Sequence, residues 1–179
     1  MDAIKLILPS EEYLDQVWAY RQEMRDADSS MDGCGPLRFN ESAQQWLADV
    51  RSYADPATVP EGKVQATQFL SVRESDGRLV GMINVRHYFN EYLKQYGGHI
   101  GYSVRPDERR KGYAREQLRL ALSYCKELGL DRVLITCNTS NEGSRRTILS
   151  AGGVYENTVH EPDRNVDLER YWIALIPFS

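Results

Sequence analysis

Arg105-Pro106-Asp107-Glu108-Arg109-Arg110-Lys111-Gly112-Tyr113-Ala114 joins a strand-like run ending at Val104 to an amphipathic segment beginning near Tyr113. The strand ends at Pro106, which has no N–H to give a ladder, and Arg105 before it is held in extended backbone. Ala114, Leu118, Ala121, Leu122 and Cys125 then recur at helical spacing as far as Leu128, with Gly129 at the C′ position. The first turn of such a helix leaves about four N–H groups without intrahelical partners and carries the positive end of its dipole. Four cations within seven residues, Arg105 and Arg109 to Lys111, stand where they oppose that dipole. A bound polyphosphate accounts for them, and Gly112 and Ala114 keep its approach clear; a solvated charged loop is the plain alternative. The spacing fits neither Gly-x-x-x-x-Gly-Lys-Ser/Thr nor Gly-x-Gly-x-x-Gly.

Upstream, Ile4 to Leu8 reads as a strand stopped by Pro9, and Ser10 as the N-cap of a helix running to about Arg25. Residues 26–40 are rich in turn formers and read as a loop, followed by a helix from Ser42 to Tyr53. Thr67 to Arg73 and Leu79 to His87 switch to strand character and flank the hairpin signal Ser75-Asp76-Gly77; Asn90 to Gln95 reads as a polar link, and His99 to Arg105 as a further strand. After the helix, Arg132 to Cys137 reads as a central strand, and Asn141 caps a helix ending at Gly152-Gly153. Val154 to Val159 and Val166 to Ile176, separated by the turn Glu161 to Asn165, read as the last strands. The order β-α-α-β-β-β-α-β-α-β-β implies an α/β (α+β) domain spanning residues 1–179.

The 179 residues carry a net charge of −4, which excludes a strongly basic nucleic-acid binder, and 41% apolar residues suffice for a core. Cys34, Cys125 and Cys137 are too scattered for a disulfide framework or zinc site. The start is too short and too soon broken by Pro9 for a signal peptide, and no apolar stretch approaches membrane-span length. A soluble cytoplasmic protein without a metal is expected.

Arg109-Arg110-Lys111-Gly112-Tyr113-Ala114 also fits an Arg/Gln-x-x-Gly-x-Gly/Ala signature, preceded by Val104-Arg105-Pro106 and followed by the strand Arg132 to Cys137, Asn141-x-x-Ser144 and Gly152-Gly153. In these features, and in their order, the chain resembles the GNAT acetyltransferase superfamily, in particular uncharacterised bacterial members related to the ribosomal-protein alanine acetyltransferases. The resemblance implies a central mixed, mostly antiparallel sheet of about seven strands flanked by helices. It implies that Tyr102, Ser103 and Val104 lie on a splayed strand that pairs with the pantetheine of acetyl-coenzyme A. The loop amides of Arg110, Lys111, Gly112, Tyr113, Ala114 and Arg115 would hold the diphosphate. Arg109 to Lys111 would neutralise its charge, and Asn141 and Ser144 would lie beside the pantetheine.

The implied activity is direct transfer of acetyl from acetyl-coenzyme A, the co-substrate, to a primary amine on a small molecule or a peptide N-terminus. No metal, nucleic acid or membrane takes part, and a homodimer is allowed. Ile148 stands where many members carry a Tyr as leaving-group acid, so a non-catalytic acyl-coenzyme A sensor stays open as an alternative. For the reaction, the Val104 N–H would polarise the thioester carbonyl. His99, with an ordinary pKa near 6.5, is the candidate general base, ahead of His87, Glu91 and Tyr171; a strand histidine hydrogen-bonded to its neighbours is the alternative reading. Cys137, Trp18, Trp46 and Trp172 read as core residues. Met31 to Pro36 would line the acceptor pocket, while Arg145 and Arg146 are either surface charges or adenosine-phosphate ligands.

Overall fold

In a computed structural model that describes residues 1–175, β1 (Ile4–Ile7), β2 (Ala66–Arg73), β3 (Leu79–Arg86) and β4 (Ile100–Val104) form one antiparallel sheet in that order. A second antiparallel sheet has the order β5 (Arg132–Asn138), β7 (Val166–Ala174), β6 (Val154–Glu161). The expected seven strands are all present, divided into two sheets at the boundary between β4 and β5. Every strand pair among the described residues is antiparallel. Ile176, expected at the end of the last strand, lies outside the described residues.

Strands β2 and β3 are buried on both faces because their apolar residues alternate between two cores. On one face Leu70, Val72 and Met82 pack with Val17, Tyr20 and Met24 of α1 (Leu14–Asp26) and Trp46, Leu47 and Val50 of α2 (Ala43–Ala54). On the other, Phe69, Ile83 and Val85 meet Leu118, Ala121 and Cys125 of α3 (Tyr113–Glu127) and Ile148 of α4 (Glu142–Ser150). Full burial of a large apolar side chain is worth about 1.5–3 kcal/mol, so these two layers dominate the stabilisation.

Local structure departs from the sequence reading in three places. Ser10 makes no side-chain cap bond; a 3-10 turn at Glu11–Tyr13 intervenes and α1 begins at Leu14. Ser42 does cap α2, its Oγ accepting from Gln45 N at 3.1 Å. The polar link contains a π-helical turn, Leu93–Gly97, closed by Gly98 N donating to Leu93 O at 2.7 Å. Trp46 is a core anchor as expected, but Trp18 and Trp172 are half-buried and stack beneath the guanidinium groups of Arg21 (4.4 Å) and Arg132 (4.0 Å). All three cysteines are free and buried. No helix among the described residues is long and apolar enough to cross a membrane.

Candidate functional site

His99 separates the two sheets. Its backbone N–H donates to Leu134 O at 2.8 Å, as a strand neighbour would. Its imidazole then turns inward, and Nδ1 accepts from Leu134 N at 2.9 Å. A side chain thereby takes the hydrogen bond that the next residue of a paired strand would make, and β4 and β5 diverge beyond it. Phe89 holds the ring, with centroids 4.0 Å apart. Between the diverging strands lies a cleft of about 860 Å³, lined by β4, β5, the start of α3, the start of α4 and the loop after α1.

The register of β4 decides what its open edge presents. Gly101 and Ser103 stand opposite Asn84 and Met82, and Arg105 N donates to Val80 O at 2.8 Å. Alternation then turns the backbone groups of Tyr102 and Val104 away from β3, toward the cleft. The carbonyl of Val104 accepts from Arg109 Nε at 3.1 Å, while the Val104 N–H and both backbone groups of Tyr102 meet no partner among the described residues.

The loop into α3 is built around buried Glu108. Its carboxylate accepts from Arg73 Nη1 at 2.8 Å and Lys111 Nζ at 3.2 Å, and also pairs with Arg78. Burial alone would raise the Glu108 pKa, but these partners hold it below the usual value. With Glu108 fixed, Arg110 (φ 62°) and Gly112 (φ 91°) both adopt left-handed backbone. No acceptor among the described residues meets the amides of residues 110–115; the first bond of α3 runs from Glu116 N to Gly112 O. Alternating backbone of this kind gathers N–H groups into an anion-binding concavity, reinforced by the helix dipole.

Of the clustered cations, only part faces solvent. Arg105 is buried, its Nε 2.5 Å from Glu23 and its Nη1 donating to Leu79 O at 3.1 Å. Arg109 reaches back to Val104 O and, at 3.0 Å, to Ser29 Oγ, and Lys111 pairs with Glu108. Arg109 and Lys111 keep exposed side chains while making these contacts, so of the four cations Arg105 alone is buried. Arg110 and Arg115 are exposed, with no ion-pair partner among the described residues. Tyr113 is buried and contributes only its amide; its hydroxyl accepts from Arg73 Nη1 at 3.3 Å.

The far wall is residues 29–39, part of the expected loop, which the fold fastens firmly. Trp46 Nε1 donates to Cys34 O at 2.8 Å, Gln68 Nε2 to Gly33 O at 2.7 Å, and Arg21 Nε to Leu37 O at 2.9 Å. Gly33 (φ 76°) presses so closely on β4 that a Cβ there would lie 2.5 Å from Gly101 O. As expected of Met31 to Pro36, several of these residues line the cleft, among them Asp32. Ser103 turns to this wall, its hydroxyl sharing a 2.7 Å hydrogen bond with Tyr20.

On the opposite side, Tyr102 shares a 2.9 Å hydrogen bond with Ser144 Oγ. Burial pushes the Tyr102 pKa to about 12, so its hydroxyl stays protonated. Asn141 caps α4, accepting from Ser144 N at 3.0 Å, and both residues line the cleft. Ile148 is fully buried in the core. Arg145 is structural, tying α4 to β7 through Glu169 at 2.5 Å, and Arg146 pairs with Glu142.

His99 is not brought into this cleft. It is 6% exposed, its Nδ1 is occupied, and burial, then the charge of Arg86, lowers its pKa to about 4. The sequence reading of His99 as a base is therefore corrected to a structural wedge. His87 bonds Thr67 at 2.8 Å, and Tyr171 donates to Glu169 Oε2 at 3.2 Å. Neither they nor Glu91 line the cleft. Cys137 does, but burial raises its thiol pKa to about 11, leaving no thiolate to attack. The reading missed Arg86. A glycine in mid-strand at Gly101, which marks a close approach, was the available signal for Arg86.

A family model described as an acetyltransferase (GNAT) domain matches residues 5–154. The uncharacterized N-acetyltransferase YnaD of Bacillus subtilis (strain 168) is 28% identical over 116 residues, covering 62% of this chain and 65% of that protein. The match thus spans just under two thirds of that relative. The ribosomal-protein-S5-alanine acetyltransferase of Vibrio fischeri superposes with a TM-score of 0.76 at 14% identity, over 100% of this chain and 97% of that one. Mycobacterium smegmatis RimJ in complex with CoA-disulfide does so with a TM-score of 0.71 at 17% identity, over 96% and 81%. At these identities both structures speak for the fold.

Proposed function

The chain belongs to the GNAT acetyltransferase family, and from that premise we propose that it transfers the acetyl group of acetyl-coenzyme A directly to a primary amine. The observation that carries this reading is the run of unsatisfied amides at residues 110–115, at one end of a cleft whose β4 edge also offers open backbone groups. The diphosphate accepts from those amides, with Arg110 and Arg115 adding charge from outside. The pantetheine arm runs along the open edge of β4, past Asn141 and Ser144. The Val104 N–H polarises the thioester carbonyl, where fixed dipoles contribute most to the tetrahedral oxyanion, while Tyr102, about 6–7 Å away along the strand, offers its backbone groups to the pantetheine.

The amine nitrogen forms the new bond to the carbonyl carbon as the C–S bond breaks. Of the two protons an ammonium loses, one ends on the thiolate and one in solvent. Asp32 and buried Glu108 are the carboxylates lining the cleft, and Glu108 is fully paired. Asp32 is thus the group that accepts the proton, directly or through water. Ile148 supplies no leaving-group acid, and a thiol with an ordinary pKa near 8.5 departs without one.

Incubation with acetyl-coenzyme A and a panel of primary amines should release free thiol at least tenfold above the hydrolysis background for some member. Tight coenzyme A binding with background thiol release across the panel would overturn the enzymatic reading in favour of an acyl-coenzyme A sensor.

A further inference from the structure

Arg86 ends β3 on the face that carries Asn84 and Met82, the face covered by α1, α2 and the loop after α1. Its guanidinium lies over Gly101, where a Cβ would come within 3.3–3.4 Å of its two terminal nitrogens. The strand glycine therefore makes room for this side chain. Arg86 lines the cleft, and its one side-chain hydrogen bond among the described residues goes from Nη1 to Gly97 O at 3.3 Å. Other shielded arginines of the protein behave differently. Arg73, Arg105, Arg145 and Arg170 each have a carboxylate close by, and Arg21 donates to backbone carbonyls at 2.9 and 3.1 Å. Arg86 has no ion-pair partner among the described residues, and desolvation lowers its pKa. Arg86 is half-buried, and its unpaired donors face the cleft, where an anionic acceptor can meet them.

Asp32, in the opposite wall, accepts from Ser30 Oγ at 2.8 Å and has no cation within ion-pair distance among the described residues. Its negative charge is nonetheless felt at Arg86. The acceptor side of the cleft thus presents one open cation and one open anion. The two lie on the face away from the free amides that start α3, so a diphosphate held by those amides leaves them unmatched.

We propose that the acceptor is an amine bearing a carboxylate near its amino group, an amino acid or a derivative of one, whose carboxylate is held by the fork of Arg86 and whose ammonium is held by Asp32. A planar guanidinium suits a carboxylate because two parallel N–H···O bonds form at once. The inference rests on the acetyl-transfer reading only in taking this amine as the group that reacts.

The test measures binding and, separately, acetylation of amino acids against their carboxamides and decarboxylated amines, in the presence of coenzyme A or acetyl-coenzyme A respectively. At least one free acid should bind about 10- to 100-fold more tightly than its matched amide, the range expected for one charge-assisted pair. Arg86→Gln should abolish that difference and Arg86→Lys should restore part of it, with coenzyme A titration reporting that each variant is folded. Asp32→Asn should weaken acid and amide alike. Equal binding of acid and amide, a preference that survives in Arg86→Gln, or no binding by any member would overturn the inference. Carboxylate-dependent binding without acetylation would leave it standing and overturn the transferase reading instead.

Discussion

Gly112→Val should weaken acetyl-coenzyme A binding at least about 100-fold while lowering stability by only about 1–2 kcal/mol. Gly112 sits at φ 91° and ψ 1°, immediately before α3. A β-branched residue is strained there and drives the backbone toward negative φ. Relief of that strain rotates the flanking peptide planes, and the amides of residues 110–115 then no longer converge on one anion. Each N–H bond to a charged phosphate contributes about 1.5–3 kcal/mol, so losing two costs roughly two to four powers of ten. The fold itself is spared because Gly112 is exposed, and the only neighbour among the described residues that a Cβ would meet within 4 Å is Met1 Sδ at 3.0 Å, the end of a flexible side chain. Calorimetric titration beside a thermal melt separates the two effects, and unchanged affinity in a folded variant would contradict the placement of the diphosphate.

Lowering the pH from about 6.5 to 4 should remove about 3 kcal/mol of stability through His99 alone, since its pKa falls from 6.5 to about 4 on folding. Burial disfavours the imidazolium, the charge of Arg86 adds to that, and the bond from Leu134 N requires an unprotonated Nδ1. Between these two pKa values the unfolded chain binds the proton and the folded one does not, so stability declines as the pH drops through this window and is insensitive to His99 above it. His99→Asn provides the control. Its amide oxygen can accept from Leu134 N and does not titrate, so the stability difference between the two proteins should change by that amount across the window. Parallel denaturation curves at both pH values would remove His99 from the account. Its imidazole is also the wedge that parts β4 from β5, so the same variant should retain the cleft only in so far as the Asn amide keeps that bond.

Much of this arrangement was legible in the sequence because local rules and tertiary structure agree. Pro106 ends β4, Gly112 has the positive φ its neighbours require, Asn141 caps α4, and the apolar periodicity of α3 names the face it buries. The readings that failed concern side chains whose roles depend on partners distant in sequence. Arg105 looks like the other members of a run of cations, yet it alone is buried, closing on Glu23, 82 residues away. His99 has the pKa of a base until burial and Leu134 set its protonation. Ser10 has the chemistry of a cap but stands before a 3-10 turn that makes no use of it. Arg86 and Asp32 carry no motif; they acquire meaning only when Gly33 and Gly101 bring the loop after α1 against β4.

The central claim is that the free amides opening α3 grip the diphosphate of a nucleotide thioester. An amide-resolved NMR titration of the isotopically labelled protein with acetyl-coenzyme A tests it most directly. The account predicts that the largest shifts fall on residues 110–115, with Val104 and Tyr102 next; saturation without movement of those amides, or the largest shifts elsewhere, would contradict it.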